Sequence, residues 1–189
     1  MSSQVENFKE KVWKTKAARF NAARRMRFNH QVATLTPPLM SAYIIAINLL
    51  VFLPTFQDVQ KEITVFTIAL SVLTLVITHL IQNRRFDEKE KNYNQCGEEL
   101  NELYDKANLL ESAAYPVGYS LPELQDNYHA ILKEHNLNHK EIDHLRAEKP
   151  NNIWYCFRWC FSSVGVLYLV AIILPVVLFF VLICKDMFI

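Results

Sequence analysis

The chain has 189 residues, 20 Lys/Arg against 19 Asp/Glu and a net charge of +1, so bulk charge points to no class of partner. Three glycines in that length argue against a β-rich fold, whose tight turns draw on glycine, and four cysteines with no CxxC pair argue against a disulfide framework or a thiolate zinc site. The reading is an all-α protein in which apolar and charged blocks alternate.

Residues 1–38 carry eight cations (Lys9, Lys11, Lys14, Lys16, Arg19, Arg24, Arg25, Arg27) against Glu6 and Glu10. Residues from about 5 to 31 contain neither Pro nor Gly and predict one helix, with Phe8, Val12, Trp13, Phe20 and Ala23 as its apolar side. Its cations serve either an anionic headgroup layer or a ligand or partner surface. For the second use the candidates are Arg19, Arg24, Arg25 and Arg27.

Leu39–Phe56 and Ile63–Ile81 are uncharged runs of 18 and 19 residues. At about 1.5 Å per residue each approaches the ~30 Å hydrocarbon core of a bilayer. The first begins too late for a cleavable signal peptide and is read as an uncleaved insertion signal. Gln57–Glu62 lies between them as a tight connection. Val164–Cys184 is a third uncharged run, of 21 residues, with Trp154, Tyr155, Phe157, Trp159 and Phe161 before it and Pro175 inside it. Interfacial aromatics and a tolerated proline fit a membrane span. The basic leader places the N-terminus in the cytoplasm, so 83–160 is cytoplasmic too. The organisation is a basic helix over 1–38, a transmembrane hairpin over 39–82, a cytoplasmic helical domain over 83–160 and a C-terminal transmembrane segment over 161–189.

Polar residues inside the second span are patterned. Thr64, Thr67, Ser71, Thr74 and Thr78 follow steps of three and four, and Gln82 extends the stripe along one helix face. In the first span Asn48 lies near mid-membrane, with Ser41 and Thr55 seven residues to either side. Polar groups at that depth face protein or water. Either they line a pore assembled from several copies, or they pack between helices with their hydroxyls on their own backbone.

From Phe86 to Ala114 a heptad seam runs through Phe86, Tyr93, Leu100 and Ala107, with Cys96, Leu103 and Leu110 in its second position and Lys89 breaking it once. It predicts a coil or bundle helix, continuous with the second span, that packs either against another copy or within its own chain. Residues 115–119 read as a turn. Ser120-Leu121-Pro122-Glu123 is a capping box that opens a helix carrying Leu124, Tyr128, Ile131 and Leu132. Asn138-His139-Lys140-Glu141 is a second box, opening a short helix with Ile142 and Leu145 that Pro150 ends.

The string ARFNAARRM, the two-span hairpin, the long polar helix and YHAILKEHNLNHKEID (128–143) together resemble the SLATT family, two-transmembrane effectors of bacterial conflict and anti-phage systems. Tyr128, Leu132, Asn138, His139, Ile142 and Asp143 carry the family-like motif, and the resemblance covers residues 5–146, leaving the C-terminal span as an addition. It implies a pore-forming effector of the bacterial inner membrane, part of an abortive-infection defence. Its partners would be the lipid bilayer, further copies of itself (a tetramer on symmetry grounds) and a nucleotide or oligonucleotide signal made by an associated synthetase.

No catalytic motif accompanies these features: there is no GxSxG, HExxH or glycine-rich phosphate loop. Of the four histidines at 129, 135, 139 and 144, only 135 and 139 stand four apart, and the second capping box separates those two. No metal, cofactor or catalysis is expected. The competing reading is a non-conducting membrane anchor that recruits a soluble partner through its coil.

Overall fold

A computed structural model describes residues 2–112, 118–137, 140–148, 152–154, 157, 158, 170, 173 and 177. Every regular element among them is helical. The elements are α1 (Ser2–Leu50), a short 3₁₀ turn (Pro54–Phe56), α2 (Gln60–Gln82), α3 (Phe86–Ser112), α4 (Leu121–His135) and α5 (Glu141–Glu148). The chain divides into two compact units. One combines Met1–Arg27 with Phe86–Ser162, and the other combines Phe28–Arg85 with Ser163–Ile189.

The first unit is a helical bundle. Phe8 and Val12 of α1, Cys96, Leu100, Leu103 and Ala107 of α3, and Leu124 and Tyr128 of α4 form its core. The heptad seam is therefore spent within its own chain: six of its residues, Phe86 through Ala107, are buried, and Leu110 packs against the core. Small residues let α1 and α3 approach closely. A Cβ on Gly97 would stand 2.9 Å from the Phe20 ring. Of the apolar side expected on α1, Phe8, Val12 and Ala23 are buried but Trp13 is 41% exposed, because its position turns it onto the outer face.

The capping box at Ser120 forms, with the Ser120 N–H donating to Glu123 Oε2 at 3.4 Å. Helix α4 ends at Asn136, which takes the left-handed conformation (φ 40°) that asparagine tolerates at a helix end, and its N–H donates to Leu132 O. The second box, at Asn138 and His139, lies outside the described residues. Helix α5 starts at Glu141, two residues later than a cap at Asn138 would place it, and its first turn is closed by Asp143, whose Oδ2 accepts the Lys140 N–H at 3.2 Å.

The second unit holds the apolar parts of α1 and α2. Helix α1 does not pause before the first apolar run but continues through Pro37 and Pro38 to Leu50. The two prolines withhold the N–H donors for Ala33 O and Thr34 O, a loss tolerated in membrane helices. A crossing of about 20 residues that ends with the helix at Leu50 reaches back past both prolines. The expected span Leu39–Phe56 is thus cut short at its C-terminal end. Pro54 forces Leu53 out of the helical region (ψ 134°), so the connection is residues 51–59 rather than Gln57–Glu62. Helix α2 contains the whole expected span Ile63–Ile81.

Helix α3 is not a continuation of α2. Asn83 and Arg84 form a turn, and Arg85 has a φ of 46°, a left-handed residue that ends one helix before Phe86 begins the next. Both α1 and α2 contain a stretch long and apolar enough to cross a membrane, and only 22% of each stretch is buried. A core helix of a soluble protein would be mostly covered, so low burial of such apolar surface favours lipid as its surroundings. The third apolar segment falls almost wholly outside the described residues. Val170, Ile173 and Val177, which share one helical face, are described there, and each is at least half exposed.

Candidate functional site

Two sets of residues that stand far apart in the chain meet in the first unit: the cations of α1 and the 128–143 motif. The Arg25 guanidinium grips Asp143 with a two-pronged bond, Nε to Oδ1 at 3.1 Å and Nη2 to Oδ2 at 2.7 Å. Both side chains are buried, Asp143 completely. Asn21, one turn before Arg25 on the same face, donates to the Asp143 carbonyl at 3.1 Å. Desolvating an ion pair is repaid only when geometry is good and further hydrogen bonds satisfy the remaining polar atoms, and here Asn21 and the Lys140 N–H supply them. Asp143 thus pins α5 to α1.

Tyr128 anchors the other end of the motif. Its ring packs edge-on against Phe8, and its hydroxyl lies 3.0 Å from Thr15 Oγ1. Ile142 is buried, and Leu132 packs against the core. Tyr128 and Asp143 therefore hold α4 and α5 against α1, Leu132 and Ile142 pack inside the same unit, and Asn138 and His139 lie outside the described residues.

The arginines expected to face a ligand have unequal surroundings. Arg19 is buried, donates to Leu137 O at 2.6 Å and lies over the Tyr93 ring. Arg25 is taken by Asp143. Arg27 pairs with Glu90 at 2.6 Å with most of its side chain in solvent. Arg24 is exposed. The lysines are mostly engaged as well: Lys9 with Glu111, Lys14 with Glu10 at 2.8 Å, and Lys16 with Asn101 at 2.9 Å. The hydrogen bond to Glu111 raises the Lys9 pKa, and the Lys14–Glu10 bond raises the lysine while lowering the carboxyl. Burial tends to raise Glu99, but the hydrogen bonds from His135 and Gln95 outweigh it and leave its pKa lowered. Burial pushes the Cys96 thiol up, which keeps it protonated and unreactive at neutral pH.

The polar stripe on α2 forms as spaced. Thr64, Ser71, Thr74 and Thr78 each donate to the carbonyl four residues earlier at 2.7–2.8 Å. Thr67 is buried, 3.0 Å from Thr64 O and 3.4 Å from the Asn48 side-chain oxygen, and Asn48 donates to Ile44 O. Thr64 and Ser71 are exposed, Thr74 and Thr78 half-buried. The stripe borders the side of α2 that carries buried Ile63, Leu70 and Ile77, while Val65, Ile68, Val72, Leu75 and Val76 are exposed apolar residues elsewhere on the helix.

One feature escaped the sequence. Residues of α1, the end of α3 and the start of α4 border an open cavity of about 890 Å3. Its polar wall includes Gln4, Asn7, Lys11, Ser120, Gln125 and His129, which come from separate stretches of the chain. The Asn21–Arg25 pair did leave a signal: two polar residues one turn apart beside Ala18 and Ala22, which are fully buried. Among the described residues no group of three His, Cys, Asp or Glu is placed to hold a metal ion. His135 faces Glu99 at 2.9 Å and His144 faces Glu148 at 3.6 Å.

No curated protein and no solved structure matches the chain. A family description does match it, over residues 1–182, well past the 5–146 of the resemblance and into the C-terminal apolar segment, which therefore falls within the family's length rather than outside it. With two membrane-length helices and an α1 clasped by the 128–143 motif, the chain belongs to the SMODS and SLOG-associating 2TM effector domain family 5, and is a membrane effector.

Proposed function

We propose that the protein is an oligomeric pore of the bacterial inner membrane, an effector of anti-phage abortive infection, gated by a nucleotide-type signal or partner at its cytoplasmic helical unit. The observation that carries this reading is the α2 stripe. Thr64 and Ser71 are exposed in a single copy, on a stretch of helix, Ile63 to Thr78, whose other exposed positions are apolar. Hydroxyls at membrane depth favour water or protein over lipid. One such helix from each of several copies, four by simple symmetry, gives a closed ring with the stripe inward and the apolar side in lipid. The N-terminus lies in the cytoplasm because the basic leader precedes the first crossing.

One observation favours a non-conducting anchor instead: the stripe hydroxyls already donate to their own backbone, as they would in plain helix packing. Ion flux decides between the two. Liposomes containing the purified protein are assayed with and without nucleotides, beside Ser71→Leu and Thr74→Leu. The pore reading expects flux that falls by about tenfold or more when leucine narrows the stripe, a barrier of about 1.4 kcal/mol. Absence of flux under every condition, or flux indifferent to both substitutions, sinks it and leaves the anchor.

A further inference from the structure

We infer that the cavity between the start of α1 and the start of α4 is a binding site for a nucleoside phosphate. The inference rests on the reading that the cytoplasmic unit receives a signal, and it relocates that signal from the arginines to Lys11. Of the α1 cations, Lys9, Lys14, Arg25 and Arg27 are neutralised by carboxylates, and Arg19 and Lys16 are engaged by oxygens of Leu137 and Asn101. Lys11 makes no ion pair with a described residue. Its ammonium stands 4.8 Å over the Tyr128 ring, inside the wall of the cavity. Among the described residues that line it there is no carboxylate, and Lys11 is the one cationic side chain.

The rest of the wall suits a planar ring. Tyr119 and His129 offer aromatic faces or edges, while the amides of Asn7 and Gln125 present a donor and an acceptor each, the combination that reads the edge of a base. A volume of about 890 Å3 lies within the roughly 300–1,000 Å3 usual for small-molecule sites. Tyr128 is 4% exposed and its hydroxyl is held by Thr15, so the floor is preformed rather than assembled on binding. A ligand there touches α1, α3 and α4 together, and it biases the bundle through the same tyrosine that anchors the motif.

The test is calorimetric binding of AMP, ADP, GMP, GDP, UMP and UDP to the full chain in nanodiscs, with adenosine and inorganic phosphate as partial ligands. At least one nucleotide binds in the micromolar range, about tenfold or more tighter than either fragment. Lys11→Glu weakens it by about tenfold or more and Gln125→Ala by about threefold, while Arg24→Glu, an exposed cation outside the cavity, leaves it unchanged. Lys11, Gln125 and His129 are all exposed, so their replacement spares the core. Thermal unfolding checks each variant, and His129→Ala stands in if Lys11→Glu does not fold. No binding across the panel overturns the site, as does binding indifferent to Lys11 and Gln125. So does an equal loss in Arg24→Glu, which marks a diffuse basic surface, or phosphate binding as tightly as nucleotide. Nucleotide binding without liposome flux leaves the site standing and removes the pore, whereas flux without nucleotide binding does the reverse.

Discussion

At the scale of single residues, the Arg25–Asp143 pair has the largest consequences. Removing one partner of a buried ion pair strands the other charge, at a cost of about 3–5 kcal/mol, whereas replacing both by apolar residues of similar volume is often neutral. Arg25→Met is therefore expected to lower unfolding stability by about that amount, and Asp143→Leu to do the same. The double variant Arg25→Met/Asp143→Leu should recover most of the loss, less the hydrogen bond to the Lys140 N–H. Chemical denaturation of the three variants in detergent measures this, and additive losses would show that the pair is not coupled. Glu99 makes a smaller, pH-dependent contribution. Its carboxyl is held below the usual glutamate value of about 4.5 by His135 and Gln95, against the opposing effect of burial. A depressed carboxyl stabilises the fold above its unfolded pKa and loses that contribution as pH falls through the folded value. The stability gap between the native chain and Glu99→Gln should be present at pH 7 and close below pH 4.5. A gap unchanged down to pH 3 would contradict the assignment.

At the scale of elements, α1 and α3 meet through small residues, and Gly97 tests how tight that meeting is. Alanine in a helix interior gains about 1 kcal/mol over glycine, but its Cβ would stand 2.9 Å from the rim of the Phe20 ring. The rim belongs to a side chain that can swing, so Gly97→Ala should be near neutral in thermal unfolding. Gly97→Leu drives three more carbons into the same gap and should cost about 1–3 kcal/mol. If leucine were tolerated as well as alanine, α1 and α3 would not be in close register there. The helices themselves were legible because each rests on a local rule: the heptad spacing of α3, the Ser120–Glu123 box of α4, the uncharged run of α2. The Ser/Thr stripe was legible for the same reason, since helical spacing alone places it on one face. Where the reading went astray, a local rule was outweighed by something non-local. The helix read over about 5–31 runs on through Pro37 and Pro38 to Leu50, because apolar surroundings favour keeping every other backbone bond. The unbroken α2–α3 helix looked natural until Arg85 took a left-handed turn that non-glycine residues seldom adopt. The arginine cluster suggested a ligand surface because sequence spacing shows which cations share a helix, but not that Asp143, over a hundred residues away, meets Arg25.

At the scale of the whole molecule, the charge distribution makes a definite forecast of the arrangement in the membrane. Eight cations against two carboxylates precede the first crossing, and Arg84 and Arg85 follow the second. If basic flanks stay in the cytoplasm, the connection at residues 51–59 is the only part of the hairpin to emerge on the far side. Asp58 is exposed on that connection and Glu98 is exposed on α3, so each accepts a cysteine without disturbing packing. In a background with Cys156, Cys160 and Cys184 replaced by serine, and with Cys96 left in the core where it is fully buried, Asp58→Cys should react with a membrane-impermeant maleimide in intact spheroplasts. Glu98→Cys should react only after permeabilisation. The reverse pattern would place the bundle, and with it the nucleotide cavity, outside the cell, where a cytoplasmic signal does not reach it. Lys185→Cys extends the same experiment to the third apolar run. Labelling from outside makes Val164–Cys184 a full crossing, while labelling only after permeabilisation returns the C-terminus to the cytoplasm and leaves α1 and α2 as the two crossings that the family description counts.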